Sequence, residues 1–139
     1  MRSYSILFLD DNELSHDFIG ALIDIEGLPI LPTFETFPLK VFEELQNLPE
    51  RDFPQAIISD INMPKMNGFE FFEKLIKTFP ERETSTGLFI MSTGIQVEEY
   101  TQIMQTPHID AYIPKPLNKE SFFEYVFPVL KDLIPVERM

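Results

Sequence analysis

Short apolar runs alternate along this chain with longer segments in which apolar residues recur at helical spacing. The runs cover residues 6–9, 30–34, 56–59, 88–91 and 111–114. Their length and their β-branched or aromatic side chains predict buried strands. Pro32 interrupts the second run, which suits an edge strand because proline cannot donate to a strand ladder.

An amphipathic segment follows each run and predicts a helix. The five apolar stripes are, in chain order, Leu14, Phe18, Ala21, Leu22 and Ile25; Val41, Leu45 and Leu48; Phe69, Phe72, Leu75, Ile76 and Phe79; Val97, Tyr100, Thr101 and Met104; and Phe122, Val126, Val129, Leu130 and Leu133. The first helix should end near Gly27. Pro128 should kink or interrupt the last one, since proline lacks the N–H that a helix needs.

Strand and helix thus alternate five times, which predicts an α/β fold with one parallel sheet and helices on both faces. Right-handed crossovers favour a flavodoxin-like (βα)5 arrangement with strand order 2-1-3-4-5. In such sheets the functional site lies at the carboxyl ends of the strands, here beside the first and third strands. We expect residues 1–139 to form a single domain, because this length suits one core.

Polar side chains stand at these strand ends. Asp10 and Asp11 follow the first strand, Asp60 the third, Ser92 the fourth and Lys115 the fifth. Three close carboxylates need a cation, because like charges raise one another's pKa. Oxygen ligands favour Mg²⁺, for which Mn²⁺ could substitute, and a carboxylate at this position can attack phosphorus. The sequence therefore predicts a metal and phosphoryl site.

The composition limits the classes of molecule that the chain is expected to bind. Eleven Lys and Arg against 23 Asp and Glu give a net charge of −12, which opposes direct binding to nucleic acid or an anionic membrane. No stretch approaches the roughly 20 apolar residues of a membrane span, and the N-terminus lacks a signal-peptide pattern. We therefore expect a cytoplasmic protein. The absence of Cys excludes disulfides and thiolate metal sites.

These motifs resemble those of response-regulator receiver domains, the phosphoacceptors of two-component signalling. The matching pieces, in family order, are Asp10-Asp11, the segment 60–70 (DINMPKMNGFE), Ser92, and the segment 112–116 (YIPKP). The resemblance covers nearly the whole chain, and residues 60–68 are its most specific part.

The resemblance implies a role for each matching residue. Asp60 would accept the phosphoryl group from a sensor histidine kinase or a histidine phosphotransfer protein. Mg²⁺ would be held by Asp11 and Asp60 directly, by Asp10 through a water molecule, and by the backbone carbonyl of Asn62.

Ser92 and Lys115 would contact the phosphoryl group. A switch pair, Ser92 and Tyr112, would rearrange on phosphorylation and control binding of a downstream protein that the sequence does not identify. Phosphoryl relay to another protein is the other output consistent with the sequence. The chain would act as a signalling phosphoacceptor that assists its own phosphotransfer and dephosphorylation, and not as a classical enzyme.

Two other functions stay open. A receiver-like scaffold that binds its partner without phosphorylation is one, because Thr93 follows Ser92 where the family usually has Ala or Gly, and its extra atoms could narrow access to the site. A haloacid-dehalogenase-like hydrolase is the other. It is disfavoured because Asn62 stands where such enzymes usually carry a second Asp, and because no cap domain is available.

Overall fold

A computed structural model of the chain describes residues 3–94, 101, 105–106 and 108–133. The predicted fourth helix, with its stripe at Val97, Tyr100, Thr101 and Met104, lies outside these residues except for Thr101. In the described part of the chain, no helix is long and apolar enough to cross a membrane.

Five parallel strands form one sheet in the order β2-β1-β3-β4-β5, which confirms the predicted topology. The strands are β1 (Tyr4–Leu9), β2 (Ile30–Glu35), β3 (Ala56–Asp60), β4 (Gly87–Ser92) and β5 (Ala111–Pro114). Their register places Leu9 opposite Ser59, Asp60 opposite Met91, and Ser92 opposite Pro114. The carboxyl ends of the four strands β1, β3, β4 and β5 therefore lie side by side.

Helices cover both faces of the sheet. They are α1 (Glu13–Glu26), α2 (Pro38–Gln46), α3 (Gly68–Thr78), the one-turn α4 (Arg82–Ser85), α5 (Lys119–Ser121) and α6 (Phe127–Asp132). Side chains alternate along β1, so that Leu7 and Leu9 pack towards α2 and α3 while Ile6 and Phe8 pack towards α1 and α6. Each face consequently has its own apolar core.

The predicted interruption at Pro128 takes the form of a π-helical segment. Phe122–Val126 joins α5 to α6, and the N–H of Phe127 donates to the carbonyl of Phe122, five residues back. Pro128 follows directly and has no N–H to donate to the preceding turn. The wider π turn keeps the chain helical up to the proline.

Pro32 lies in β2, at the edge of the sheet, as its sequence predicted. The carbonyls of Pro29 and Glu35 accept from the N–H groups of Tyr4 and Asp10 on the β1 side. Because residues in a strand alternate between the two sides, Pro32 points its missing N–H away from β1 and towards solvent. The proline therefore removes an exposed donor that could recruit another strand.

The structure corrects the predicted orientation of α1. Leu14, Phe18 and Ile25 are 75%, 51% and 81% exposed, so the predicted apolar stripe does not face the core. The buried face instead carries His16, Ile19 and Ile23. His16 is only 7% exposed.

The reason for this difference is the packing partner. His16 stacks on Phe34 of β2, with ring centroids 5.1 Å apart and planes inclined by 30°. Both stripes have helical spacing, and only contact with the sheet determines which of them is buried.

The short helix α4 lies in the polar segment between α3 and β4. Arg82, at its start, is 3% exposed. Its guanidinium pairs with Glu50 and lies 3.8 Å above the ring centre of Phe53. Arg82 thereby links α4 to the short 3₁₀ turn Glu50–Asp52.

Candidate functional site

The side chains predicted at the strand ends converge in the folded chain. Asp10, Asp11 and Asp60 each offer a carboxylate oxygen, and these three oxygens lie within 4.8 Å of one another. Asp10 is 2% exposed, Asp60 is partly buried, and Asp11 faces solvent. The group is therefore a half-open cup with two inner carboxylates and one outer carboxylate.

Lys115 completes the cup from the end of β5. Its Nζ lies 3.1 Å from Oδ1 of Asp60 and 3.2 Å from Oδ2 of Asp10. The other Asp10 oxygen, Oδ1, accepts the backbone N–H of Asn12 at 2.9 Å. Both oxygens of the most buried carboxylate thus have donors, which is what a buried charge requires.

Pro114 helps to place Lys115. The N–H of Asp110 donates to the carbonyl of Leu88, so by alternation residue 114 should donate to Ser92. Proline cannot do so, and the N–H of Lys115 donates to the Ser92 carbonyl instead, at 2.8 Å. The Lys115 backbone is in this way tied to the end of β4. The peptide bond between Lys115 and Pro116 is cis.

The electrostatics of the cup suit a divalent cation. Burial raises the pKa of Asp60, Lys115 lowers it, and Asp10 raises it again, which leaves the pKa above its ordinary value. Burial alone would lower the pKa of Lys115, but its hydrogen bonds and charge interactions with Asp60 and Asp10 outweigh burial and raise it. Three carboxylates and one ammonium group then leave a formal charge of about −2 when all are ionised.

The donor set fits Mg²⁺ in its chemistry. All the acidic groups that converge here offer oxygen, and no His or Cys joins them among the described residues. Hard divalent cations prefer such ligands, and Mg²⁺ keeps several waters when it binds one or two carboxylates.

The loop after Asp60 is held close to the cup by Gly68. A Cβ built on Gly68 would lie 2.5 Å from the backbone oxygen of Asp60 and 2.8 Å from Cδ1 of Ile90. The N–H of Gly68 donates to the carbonyl of Ile61 at 2.9 Å. Only a residue without a side chain lets α3 begin this close to the end of β3.

A capping box fixes the start of α3. The Asn67 side chain accepts the N–H of Glu70, and the Glu70 carboxylate accepts the N–H of Asn67. Lys65, in the same loop, adopts a left-handed backbone with φ of 70°. Asn62, which lies earlier in this loop, is exposed, and the role of its backbone carbonyl as a metal ligand stays a prediction.

Ser92 and Tyr112 line one small cleft of about 140 Å³, together with Thr93 and Gly94. The Ser92 hydroxyl donates to the carbonyl of Gly94 at 3.3 Å. The Tyr112 hydroxyl is buried and has no hydrogen-bond partner among the described residues, and burial raises its pKa to about 12. The two residues predicted to form a switch are therefore neighbours along this cleft.

The sequence missed an apolar cleft beside Lys115. Leu14 and Phe18 of α1 form one wall of a space of about 240 Å³, and Met91 and Leu117 line it from the sheet side. The missed signal was the second stripe of α1, at His16, Ile19 and Ile23. Because that stripe packs into the core, Leu14 and Phe18 remain exposed next to the carboxylate cup.

Comparisons with known proteins point to one family. A family model described as the response regulator receiver domain matches residues 6–127. The polar-differentiation response regulator DivK of Brucella ovis is 25% identical over 128 residues, which cover 92% of this chain and 97% of DivK.

Two solved structures share the fold. A two component response regulator from Cytophaga hutchinsonii has a TM-score of 0.82 at 20% identity and covers 94% of this chain and 99% of its own. The chemotaxis response regulator CheY4 of Vibrio cholerae has a TM-score of 0.71 at 19% identity, with coverage of 91% and 98%.

Proposed function

The chain belongs to the response regulator receiver domain family, and we propose that it accepts a phosphoryl group on Asp60 in a Mg²⁺-dependent reaction. Receiver domains are signalling phosphoacceptors of two-component systems and not classical enzymes. The donor in our proposal is a phosphohistidine on a histidine kinase or a phosphotransfer protein. The product signals by binding a partner protein or by passing the phosphoryl group on.

The convergence of Asp10, Asp11 and Asp60 with Lys115 is the observation that carries this proposal. A carboxylate oxygen of Asp60 attacks phosphorus, the P–N bond to the histidine breaks, and an acyl phosphate forms. The histidine leaves with the electron pair of that bond. Lys115, already within 3.2 Å of both inner carboxylates, compensates the negative charge of the transferred group.

Receiver domains bind Mg²⁺ at an acidic pocket, and in this scheme the carboxylate cup would hold the ion. Asp11 and Asp60 would bind Mg²⁺ directly, Asp10 through water, and Asn62 through its backbone carbonyl; Mn²⁺ could substitute. The ion supplies charge neutralisation at the phosphoryl oxygens. Ser92 would donate its hydroxyl to one of these oxygens after giving up its contact with Gly94.

Two features of the structure support the proposed partner and the proposed switch. Leu14 and Phe18 are exposed on α1 directly beside Lys115, where a helical partner carrying the phosphohistidine could cover them. Tyr112, whose buried hydroxyl has no partner in the described part of the chain, lines the same cleft as Ser92, so a change at Ser92 would alter the environment of that ring. Both features favour regulated protein binding.

The test is the intact mass after treatment with acetyl phosphate, with and without Mg²⁺. We expect a gain of one phosphoryl group that requires Mg²⁺ and is absent in Asp60→Asn. Asp24→Asn, an exposed change on α1 away from the cup, serves as the matched control and should gain the group normally.

A second reagent, beryllofluoride, is used to recognise a failure of the proposed phosphorylation. If acetyl phosphate gives no mass gain, and beryllofluoride with Mg²⁺ produces no change in the amide spectrum around Ser92 and Tyr112, phosphoacceptor function is refuted. The hypothesis of a receiver-like scaffold that binds its partner without phosphorylation would then replace it. Turnover of a small phosphomonoester would instead indicate the hydrolase.

A further inference from the structure

The exposed apolar residues of the described chain are concentrated in one region. Large apolar side chains with high exposure occur at Leu14, Phe18, Ile25, Leu31, Phe37, Leu39 and Leu48. All seven fall between residues 14 and 48, in and around α1, β2 and α2. Those on α1 next to Lys115 are accounted for by the proposed phosphohistidine partner, whereas those around α2 are not.

A separate cleft lies at the start of α2. Its apolar walls are Phe37, Pro38, Leu39 and Pro64, and its volume is about 440 Å³. Asp11 and Glu13 lie at its rim, and Lys65 lines it from the loop after β3. We call this space the α2 cleft; it shares no lining residue with the cleft beside Lys115.

Phe37 is an unexpected residue at its position. It is the N-cap of α2, and it makes no side-chain hydrogen bond to the helix. Ser, Asp or Asn at an N-cap would satisfy a free backbone N–H there. Phe37 instead leaves 67% of its surface in water, so it stabilises neither the helix nor the core. Such a residue suits contact with another molecule.

The charge around the α2 cleft indicates what that molecule carries. Asp11, Glu13 and Lys65 line the cleft. The adjoining groove, which shares Glu13 and Thr36 with it, adds Asp17 and Glu35. Four carboxylates therefore stand against one ammonium group in the lining of these two grooves. Burial first, and then the charge of Glu44, raise the pKa of Glu35 on β2. The charge of Lys40 lowers the pKa of Glu35.

A second copy of the chain would bring the same acidic groups against themselves. Two-fold contacts place like surfaces together, and like charges across an interface are unfavourable. A partner with basic residues around an apolar side chain would meet both the apolar walls and the acidic rim. From this combination of Phe37, the α2 cleft and the surrounding charge, we infer that the α2 cleft docks a basic protein segment that inserts an apolar side chain.

This surface lies beside the phosphoacceptor site and shares one residue, Asp11, with it. Docking there leaves Leu14 and Phe18 free, so a second protein could bind while the phosphohistidine partner occupies α1. Asp11 contributes to both the α2 cleft and the carboxylate cup, which provides a direct contact between docking and metal binding.

The experiment measures binding of fluorescent twelve-residue peptides without any phosphodonor, so its outcome does not depend on phosphorylation of Asp60. The probe alternates Leu and Lys; one control peptide replaces Leu by Gly, and another replaces Lys by Glu. We expect the Leu/Lys peptide to bind, with amide shifts at Phe37, Leu39 and Lys65. Its affinity should fall at least tenfold in Phe37→Ser and in Leu39→Ser.

Matched variants separate docking from general attraction to an acidic protein. Ile25→Ser removes an equally exposed apolar side chain at the far end of α1 and should change the affinity less than twofold. The Gly/Lys peptide should respond to none of these variants. Thermal unfolding of each variant establishes that it is folded.

Three outcomes overturn the inference. The first is an equal response in Phe37→Ser and Ile25→Ser, or no response in either. The second is equally tight binding of the Leu/Glu peptide. The third is self-association of the unmodified chain in sedimentation equilibrium that Phe37→Ser abolishes, which would assign the α2 cleft to a second copy.

Discussion

Replacing Gly68 by Ala tests whether the close approach of α3 to β3 builds the site. The new Cβ would lie 2.5 Å from the Asp60 backbone oxygen, whereas real Cβ contacts are essentially never shorter than 3.0 Å. The backbone must therefore shift by at least 0.5 Å, and Cδ1 of Ile90, at 2.8 Å, obstructs a second direction. Inserting atoms into a well-packed region costs about 1–3 kcal/mol. We expect a loss of that size in the free energy of unfolding.

Gly20→Ala is the matched control, because it makes the same chemical change inside α1. There the Cβ meets only the Phe34 ring at 3.8 Å, an ordinary contact. Alanine is the better helix former by roughly 0.8–1 kcal/mol, so this variant should be more stable than the parent.

The assay is urea unfolding followed by circular dichroism, with Mg²⁺ affinity measured on the same proteins. Gly68→Ala should unfold at lower urea with an unchanged slope and bind Mg²⁺ more weakly, because the displaced carbonyl belongs to Asp60. The reasoning is refuted if both glycine variants shift the midpoint in the same direction by similar amounts.

Three further changes have defined outcomes. Tyr112→Phe removes a buried hydroxyl that no described residue partners, and it should raise the unfolding free energy by up to about 1 kcal/mol, measured in urea. A loss of that size would reveal a partner for the hydroxyl. Phe37→Ser supplies an N-cap acceptor and should stabilise the protein by about 1 kcal/mol in the same assay, and a lower melting temperature would contradict this. Burial lowers the pKa of His16 below 6.5, although the charges of Asp10, Glu13 and Asp17 act in the opposite direction. The imidazole therefore binds a proton more readily in the unfolded chain than in the folded one. The stability due to neutral His16 is complete above about pH 6.5 and is lost as the pH falls through its folded-state pKa. His16→Gln should therefore lose less unfolding free energy between about pH 7 and pH 5 than the parent, and an identical pH dependence would refute this.

The sequence by itself determined the order of elements and the place of the chemistry. Five apolar runs with helical stripes between them could form only a few sheets, and right-handed crossovers reduced these to the observed order. Because parallel strands end at the same edge, the residues after β1, β3 and β5 had to meet there. Pro32 could likewise be assigned to an edge strand, since its missing N–H excludes a central one.

Only the tertiary structure decided which side of α1 faces the core. Both stripes of α1 have helical spacing, and contact of His16 with Phe34 selected the one that is buried. Arg82 became buried because Glu50 and Phe53, about 30 residues earlier, supply its counter-ion and ring. Periodicity is a property of the local chain, whereas burial depends on partners that are distant in sequence. For the same reason the exposed Phe37 and the α2 cleft could be seen only after folding, when the neighbouring loops had taken their places.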